Sequence, residues 1–522
     1  MKKTIFYVFT LLIVAMFSCR KGTPSWETDV TVPLIQFSLG VDQIIPDSLM
    51  QTNSSNAITI VYDKKLYELS VDSLVNFPDT ASTLYFYSPV SGMLQPGQVL
   101  VNSTDYKRFS FGSALLSQIK IKKGSIKVEF KNTINEKVDI SYSFPTANLN
   151  GVPFSIHEIL PSHIENPNTI YKTYDISGYT FDLTGINHNL INTLPIQGII
   201  KVADNAQPVN VNTFDAVVMT SMFNNIEIGY AKGYFGSSNF EIGPETSYLG
   251  LFNKIISGSI HFHDISMKLF VHNGLGVDAR ATIKSFWCTH NLNGQTINLA
   301  SSIINQPQNI SRALETFNPA HPVQATDYTY DLSNSNVAAL LENFPDIIGY
   351  HLIINSNPLG DVSAGNDFYY DGNGFNASFQ VEIPLSIIAH DLLIADTTSF
   401  TISMENVNSG TFYLYASNGF PLGANLQLKL FDANNIQIHT LMSNQEVLPG
   451  LLDNNGKVTE KTKTTISIPL NEFDILKLKN TKHISIFAKF NTVDQQHPVN
   501  IYKDYKMDVT LSGNFNYNIS IR

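Results

Sequence analysis

Alternation of apolar and polar residues recurs three times along the chain, and each time one asparagine interrupts it. The stretches are IKVEFKNTINEKVDISYSF (126–144), MKLFVHNGLGVDARATIKS (267–285) and FYLYASNGFPLGANLQLKL (412–430), which align without gaps on Asn132, Asn273 and Asn418. Two and four residues before the asparagine lie Phe130 and Val128, Val271 and Leu269, Ala416 and Leu414. Two residues after it lie Ile134, Leu275 and Phe420; eight and ten after lie Ile140 and Tyr142, Ala281 and Ile283, Leu426 and Leu428. This period of two predicts strands with one buried face. Nineteen residues in one extended run would reach about 63 Å at roughly 3.3 Å per residue, far beyond an ordinary strand, so the chain bends at the asparagine. A two-residue hairpin loop would put the two apolar sets on opposite faces. A three-residue turn, pairing Ser417 with Pro421, Ala416 with Leu422 and Leu414 with Ala424, keeps them on one face. The expectation is therefore a three-residue turn or bulged bend, with Asn and Gly supplying left-handed backbone.

A second landmark follows each asparagine: YTFDLTG around Leu183, YTYDLSN around Leu332 and ISIPLNE around Leu470. These runs end at Thr184, Ser333 and Asn471, good helix-capping types. Short helix-like segments follow, the clearest being NSNVAALLENF, with Val337, Leu340, Leu341 and Phe344 at helical spacing. Further strands come next: PIQGIIKV, DIIGYHLII and HISIFAKF. The asparagines are 141 and 145 residues apart, a domain-sized period. The fold class read from this pattern is mainly β, with tandem β-sandwich-like modules each carrying a short helix. The modules span 111–250, 251–395 and 396–522, after a lead-in β segment over 19–110 that completes the first.

The N-terminus is a targeting segment. Lys2 and Lys3 precede an apolar run from Ile5 to Phe17, too short for an ordinary membrane span, and then Ser18-Cys19. Residues 1–18 read as a signal peptide. Removing Lys2 and Lys3 from the 33 basic side chains leaves 31 against 44 acidic ones, a net charge of −13. With no basic stripe to offset it, this balance argues against nucleic acid as a partner. Only Cys288 follows Cys19, so the mature chain has no internal disulfide and each core depends on burial alone.

The segment ending in Ser18-Cys19 and followed by CRKGTPSWETDVTVPL resembles envelope lipoproteins of the Bacteroidota. The strand–Asn–turn–strand unit is similar to the β-sandwich domains of late-embryogenesis-abundant-like proteins. The first resemblance implies that Cys19 becomes the lipid-bearing N-terminus, a membrane partner through that anchor, and an outer-membrane location. The absence of acidic residues just after Cys19 leans towards the periplasmic side over the cell surface. The same phylum glycosylates Asp-(Ser/Thr)-(apolar or Thr), which implies candidate sites at Ser48, Ser73, Thr80 and Thr397; ordinary turn chemistry explains the motifs equally.

Chemistry-bearing residues are sparse. Nucleophile-elbow, zincin and P-loop motifs are absent, and no cofactor is called for. Cys288 and His290 share a strand face. His261 and His263, with His272 nearby, are too few for a closed zinc site, and no metal site is assigned. The run YYDGNGFN (369–376) suits Ca²⁺ or a plain hairpin turn. Tyr413 and Tyr415, and likewise Tyr85 and Tyr87, point away from the apolar face and suit stacking on sugar rings or a second packed face. The sequence thus reads as a non-enzymatic, lipid-anchored binding or scaffolding protein of the cell envelope, with envelope proteins or glycans as partners. The alternatives are a glycan-binding surface lipoprotein of a polysaccharide-uptake system, or a carrier of apolar ligands.

Overall fold

The computed structural model describes residues 25–43, 45–69, 74–75, 77, 81–165, 169–290, 293–316 and 318–520. The fold is mainly β. The strand before each asparagine and the strand after it do not pair with each other. Ser266–Asn273 and Ala279–Thr289 lie in separate sheets, as do Val407–Asn418 and Leu422–Phe431. At Asn273 and Asn418 the chain therefore crosses from one layer of a sandwich to the other; at Asn132 the strands Leu115–Asn132 and Val138–Leu149 belong to one continuous sheet with Thr180–Asp182 between them. This corrects the expected hairpin register: Ser417 pairs with Lys463 and Asp508, and Leu422 with Thr492. The shared apolar face holds, because the two strands confront each other across the core, with Phe412, Leu414, Leu426 and Leu428 all buried.

The bend is built the same way three times. The side chains of Asn132, Asn273 and Asn418 are buried. Each Oδ1 accepts from the backbone N–H two residues on, at 2.9 Å from Ile134, 3.0 Å from Leu275 and 2.9 Å from Phe420. Each Nδ2 donates to the carbonyl four residues on, at Glu136, Val277 and Leu422. It also donates to a carbonyl on a more distant loop, at Pro161, Ser311 and Leu448. One amide thus satisfies three backbone groups that the bend would otherwise bury unpaired. Left-handed backbone is not used at these asparagines or at the residues that follow them. Glycine is useful at 419 because a Cβ there would stand 2.9 Å from the Lys506 carbonyl, which accepts the Gly419 N–H.

Each sandwich repeats one arrangement of four strands in its first sheet. The order is a lead-in strand, a return strand, the strand ending in asparagine, and a downstream strand. In the first sandwich these are Ala81–Tyr87, Ala216–Tyr234, Leu115–Asn132 and Thr169–Asp175. In the second they are Ile58–Leu69, Phe375–Pro384, Ser266–Asn273 and Thr326–Asp331. In the third they are Ser25–Gly40, Lys506–Ser520, Val407–Asn418 and Thr462–Leu470. The lead-in thus serves all three sandwiches, in reverse order, instead of completing the first alone. Pairing also crosses the sequence period elsewhere: Ser238–Tyr248 joins the second sandwich through Ile347–Ser356, and Ile255–Phe262 joins the third through Ser386–Ser399.

Helices follow the second landmark in two modules. Val337–Glu342 buries Val337, Leu340 and Leu341, while Phe344 lies beyond it at positive φ. Glu472–Lys479 is capped by Asn471, whose side chain accepts from the Asp474 N–H while Asp474 reaches back to the Asn471 N–H. Ser333 stands too early to cap and bonds Asp331 and the Met267 N–H instead. In the first module the corresponding segment, 184–192, is a turn, with Gly185, His188 and Asn192 at positive φ. That backbone excludes a helix.

Candidate functional site

Among the described residues the sandwiches meet at two junctions, and a cavity lies beside each. At the first junction the short strand Asp367–Tyr370 of the second module adds to the far half of Ala216–Tyr234, with Gly233 opposite Asp367 and Tyr230 opposite Tyr370. Asp367 is completely buried. It accepts from the Phe235 N–H at 3.0 Å and from Asn357 Nδ2 at 2.7 Å, and it faces Arg312 Nη1 at 3.3 Å. Arg312 also grips Asp278, with Nη2 at 2.7 Å and Nε at 3.1 Å. A second cluster stands beside it. Glu315 accepts from Tyr230 and Tyr370 hydroxyls, each at 2.9 Å, and from Lys232 at 3.0 Å. Burial pushes the Glu315 carboxyl up, but the bonds from Lys232 and the two tyrosines outweigh it and hold the group below the usual carboxylate range.

A lowered folded-state value means that Glu315 stabilises the junction above its unfolded value, near pH 4.5, and that the contribution fades as pH falls through the depressed value. Hydrogen exchange at Tyr230–Gly233 is expected to accelerate below that range in the native chain. In Glu315→Gln the exchange at these residues should be faster at neutral pH and less sensitive to acid. Equal acid sensitivity in both proteins would remove Glu315 from this role.

Beside the junction opens a cleft of about 540 Å³, lined by Glu68, Lys122, Glu227, Asp371 and Asn373 among others. The run YYDGNGFN forms part of its wall. Its Asp371 carboxylate pairs with Lys122 at 2.7 Å, and the Asp371 N–H donates to the Gly229 carbonyl. The turn thus docks the second sandwich on the first and spends its carboxylate on a lysine. The Asp371 hydrogen bond and charge raise the Lys122 ammonium above its ordinary value.

The second junction is apolar. Ile58 donates to the Ile501 carbonyl and Leu385 to the Ile58 carbonyl, joining the second and third sandwiches through backbone. An apolar cavity of about 80 Å³ lies there among Leu39, Ile60, Phe252, Phe262, Phe420 and Ile501. Ligand pockets commonly run to several hundred Å³, so this space suits a ligand of a few heavy atoms and not a lipid chain.

The remaining sequence candidates are scattered. Tyr413 and Tyr415 lie on the outer face of Val407–Asn418, rings 23° from parallel with centroids 6.3 Å apart. Tyr85 and Tyr87 repeat the geometry on the first sandwich, at 10° and 5.7 Å. Tyr328 and Tyr330 also stack on the second, at 9° and 6.4 Å, but on the inward side of Thr326–Asp331, partly buried against the core. Ser48 is exposed in a short turn, Asp47–Leu49. Thr397 sits within a paired strand, its hydroxyl 2.6 Å from that of Ser485. Ser73, Thr80, Cys19 and the signal segment lie outside the described residues.

Cys288 is buried in the core, and burial pushes its thiol up to about 12, far from a nucleophile's range. His290 faces Asp346 at 3.2 Å. His261, His263 and His272 each face a different carboxylate, of Glu342, Asp264 and Asp327. Among the described residues no group of three or more His, Cys, Asp or Glu side chains is placed to hold a metal ion. No helix among them is long and apolar enough to cross a membrane. The Arg312–Asp367 cluster was not foreseen; its faint signal is an acidic residue opening the apolar run DFYY.

No protein family matches the chain in sequence, and no curated protein does. Among solved structures, one from Parabacteroides distasonis, described as a secreted protein, overlaps 93% of this chain and 99% of its own at 10% identity and a TM-score of 0.28. Infectious bursal disease virus, Gx strain, overlaps 91% of this chain and 82% of its own at 9% identity and a TM-score of 0.13. A chain of the lipid-containing bacteriophage PM2 overlaps 84% of this chain and 100% of its own at 6% identity and a TM-score of 0.13. Overlaps this shallow assign neither a fold family nor a function.

Proposed function

We propose that the protein is a lipid-anchored component of the cell envelope that works by binding or scaffolding and not by catalysis. The observation that carries this reading is the pairing of the chain's two ends. Ser25 lies opposite Ser520 on the third sandwich, six residues after Cys19. An anchor at Cys19 would thus hold the third sandwich at the outer membrane and present the first sandwich away from it. The polar junction clusters support the same reading, since a chain fixed at one end transmits position only if its joints are stiff. The outward tyrosine pairs on the first and third sandwiches leave a glycan open as the ligand.

Cell fractionation with metabolic palmitate labelling tests the anchor. The native chain is expected to carry label and partition with the outer membrane, and Cys19→Ala to lose both. Label retained by the variant would sink the proposal. Retention of the unlipidated protein on insoluble polysaccharide, set beside proximity labelling in the envelope, separates a glycan ligand from a protein one.

A further inference from the structure

The first sandwich ends in a sheet edge unlike the others. Ala81–Tyr87, sequence ASTLYFY, pairs along one side with Ala216–Met222 and, among the described residues, with nothing along the other. Exposed strand edges invite pairing with another chain, and proteins guard them with charge, proline, bulges or cover. The edge Ser25–Gly40 carries Glu27, Asp29 and a register shift at Pro33. Ser238–Tyr248 carries Glu241, Pro244 and a register shift, and Thr462–Leu470 carries Lys463 and Pro469. The far side of Ile58–Leu69 is covered by Met50–Thr52 at Ile58–Ile60, and the rest of it carries Asp63, Lys64, Lys65 and Glu68. Every other edge strand of five or more residues among the described residues has a charge, a proline or a register shift. Ala81–Tyr87 has none of these, and its composition is strongly β-forming.

The end of that strand is also the one place where a repeated contact is missing. In the second and third sandwiches the segment before the return strand is buried against the preceding sandwich, through Phe368 and Tyr369 or Ile501 and Tyr502. The first sandwich has no predecessor. Its counterpart segment holds Phe214 out to solvent, 86% exposed. The turn is fixed in that pose: Asn212 Oδ1 accepts the Phe214 N–H at 2.8 Å, and Asp215 accepts the Asn212 N–H at 2.8 Å. The Ser88 N–H donates to the Asp215 carbonyl, so Phe214 adjoins the end of Ala81–Tyr87. Val90 and Met93 are exposed just beyond, and Tyr85 and Tyr87 stand half in solvent along the strand.

We propose that a second copy of this chain covers this end, with the two Ala81–Tyr87 strands pairing antiparallel about a two-fold axis. An antiparallel pair about a two-fold axis sets two copies of one strand side by side, so a charge at or next to the axis would stand beside its own copy; an uncharged strand escapes that cost. Thr83, Tyr85 and Tyr87 share a face and become cross-strand aromatic and Thr contacts, with Phe214, Val90 and Met93 closing against the partner's tip. Pairing here also leaves both Ser25–Ser520 ends free. The inference does not rest on the lipid anchor and is tested without it.

The protein from Arg20 onward, which retains every described element, is expected to double its mass in light scattering or sedimentation at concentrations up to about 100 µM, the range of modest interfaces. Tyr85→Lys with Tyr87→Lys should give monomer, and so should Tyr85→Glu with Tyr87→Glu. An equal mixture of the two variants should recover the dimer, which also shows that both are folded. Phe214→Ser should weaken the dimer at least tenfold with the strand intact. A native chain that stays monomeric, a dimer that persists in both charge variants, or folded variants that fail to recover on mixing would each overturn the proposal.

Discussion

Replacing Asn418 by alanine is expected to destabilise the third sandwich by about 3–5 kcal/mol. The substitution removes no large apolar volume, so the cost comes from hydrogen bonds. It strands the Leu422 carbonyl and the Phe420 N–H inside the protein and frees the part-buried Leu448 carbonyl, all three now paired to one amide. A buried group left without a partner costs roughly 1–3 kcal/mol. Asn418→Asp should be no better, because a carboxylate would face two carbonyls that need a donor. With three sandwiches in one chain, global melting is not a two-state quantity. The measurement is therefore hydrogen exchange resolved to Val407–Asn418 and Leu422–Phe431 in native chain and variant. The same loss is expected locally at Asn132→Ala and Asn273→Ala. A change below about 1 kcal/mol at all three would mean that water replaces the amide at the bend.

The second large effect is expected at Asp367. Its carboxylate is buried and serves the Phe235 N–H, Asn357 and Arg312 at once. Arg312 keeps Asp278 as a partner, so the cost comes from the Phe235 N–H and the Asn357 amide, each left without its buried acceptor at roughly 1–3 kcal/mol. Asp367→Leu should therefore release the first junction while sparing the third sandwich. Limited proteolysis between Tyr234 and Ser238 should become fast, and exchange at Tyr230–Gly233 should rise with it. Asp367→Asn, which keeps an acceptor for Phe235, should fall between native and Leu. Unchanged protection in the Leu variant would assign the rigidity of this junction to strand pairing alone.

Much of this architecture was legible in the sequence. Alternation around Asn132, Asn273 and Asn418 gave strands and buried faces, because side-chain parity is a local property of extended chain. What it could not give was the partner of each strand. Register arithmetic takes neighbours in sequence as pairing partners, whereas the two strands around each asparagine do not pair, and at Asn273 and Asn418 they lie in separate sheets. Both geometries keep the same residues inside, so the apolar pattern does not distinguish them. The lead-in illustrates the same limit: Ser25–Gly40 finds its partner at Lys506–Ser520. Of the site candidates, Tyr413 and Tyr415 were placed on the correct outward face. The Arg312–Asp367 cluster was invisible because its members are far apart in sequence and come together only at a junction.

The order in which strands become available has a consequence for synthesis. Ala81–Tyr87 finds its return strand once residue 222 has been made, Ile58–Leu69 once residue 384 has, and Ser25–Gly40 only when the chain is nearly finished. The sandwiches therefore close in sequence, from the free end of the molecule towards the end that bears Ser25. Such long-range pairings are slow to form and leave strand edges exposed while they wait. A chain exported N-terminus first would hold its earliest strand unpaired for almost its whole passage. Loss of Lys506–Ser520 would leave that strand without its pairing partner.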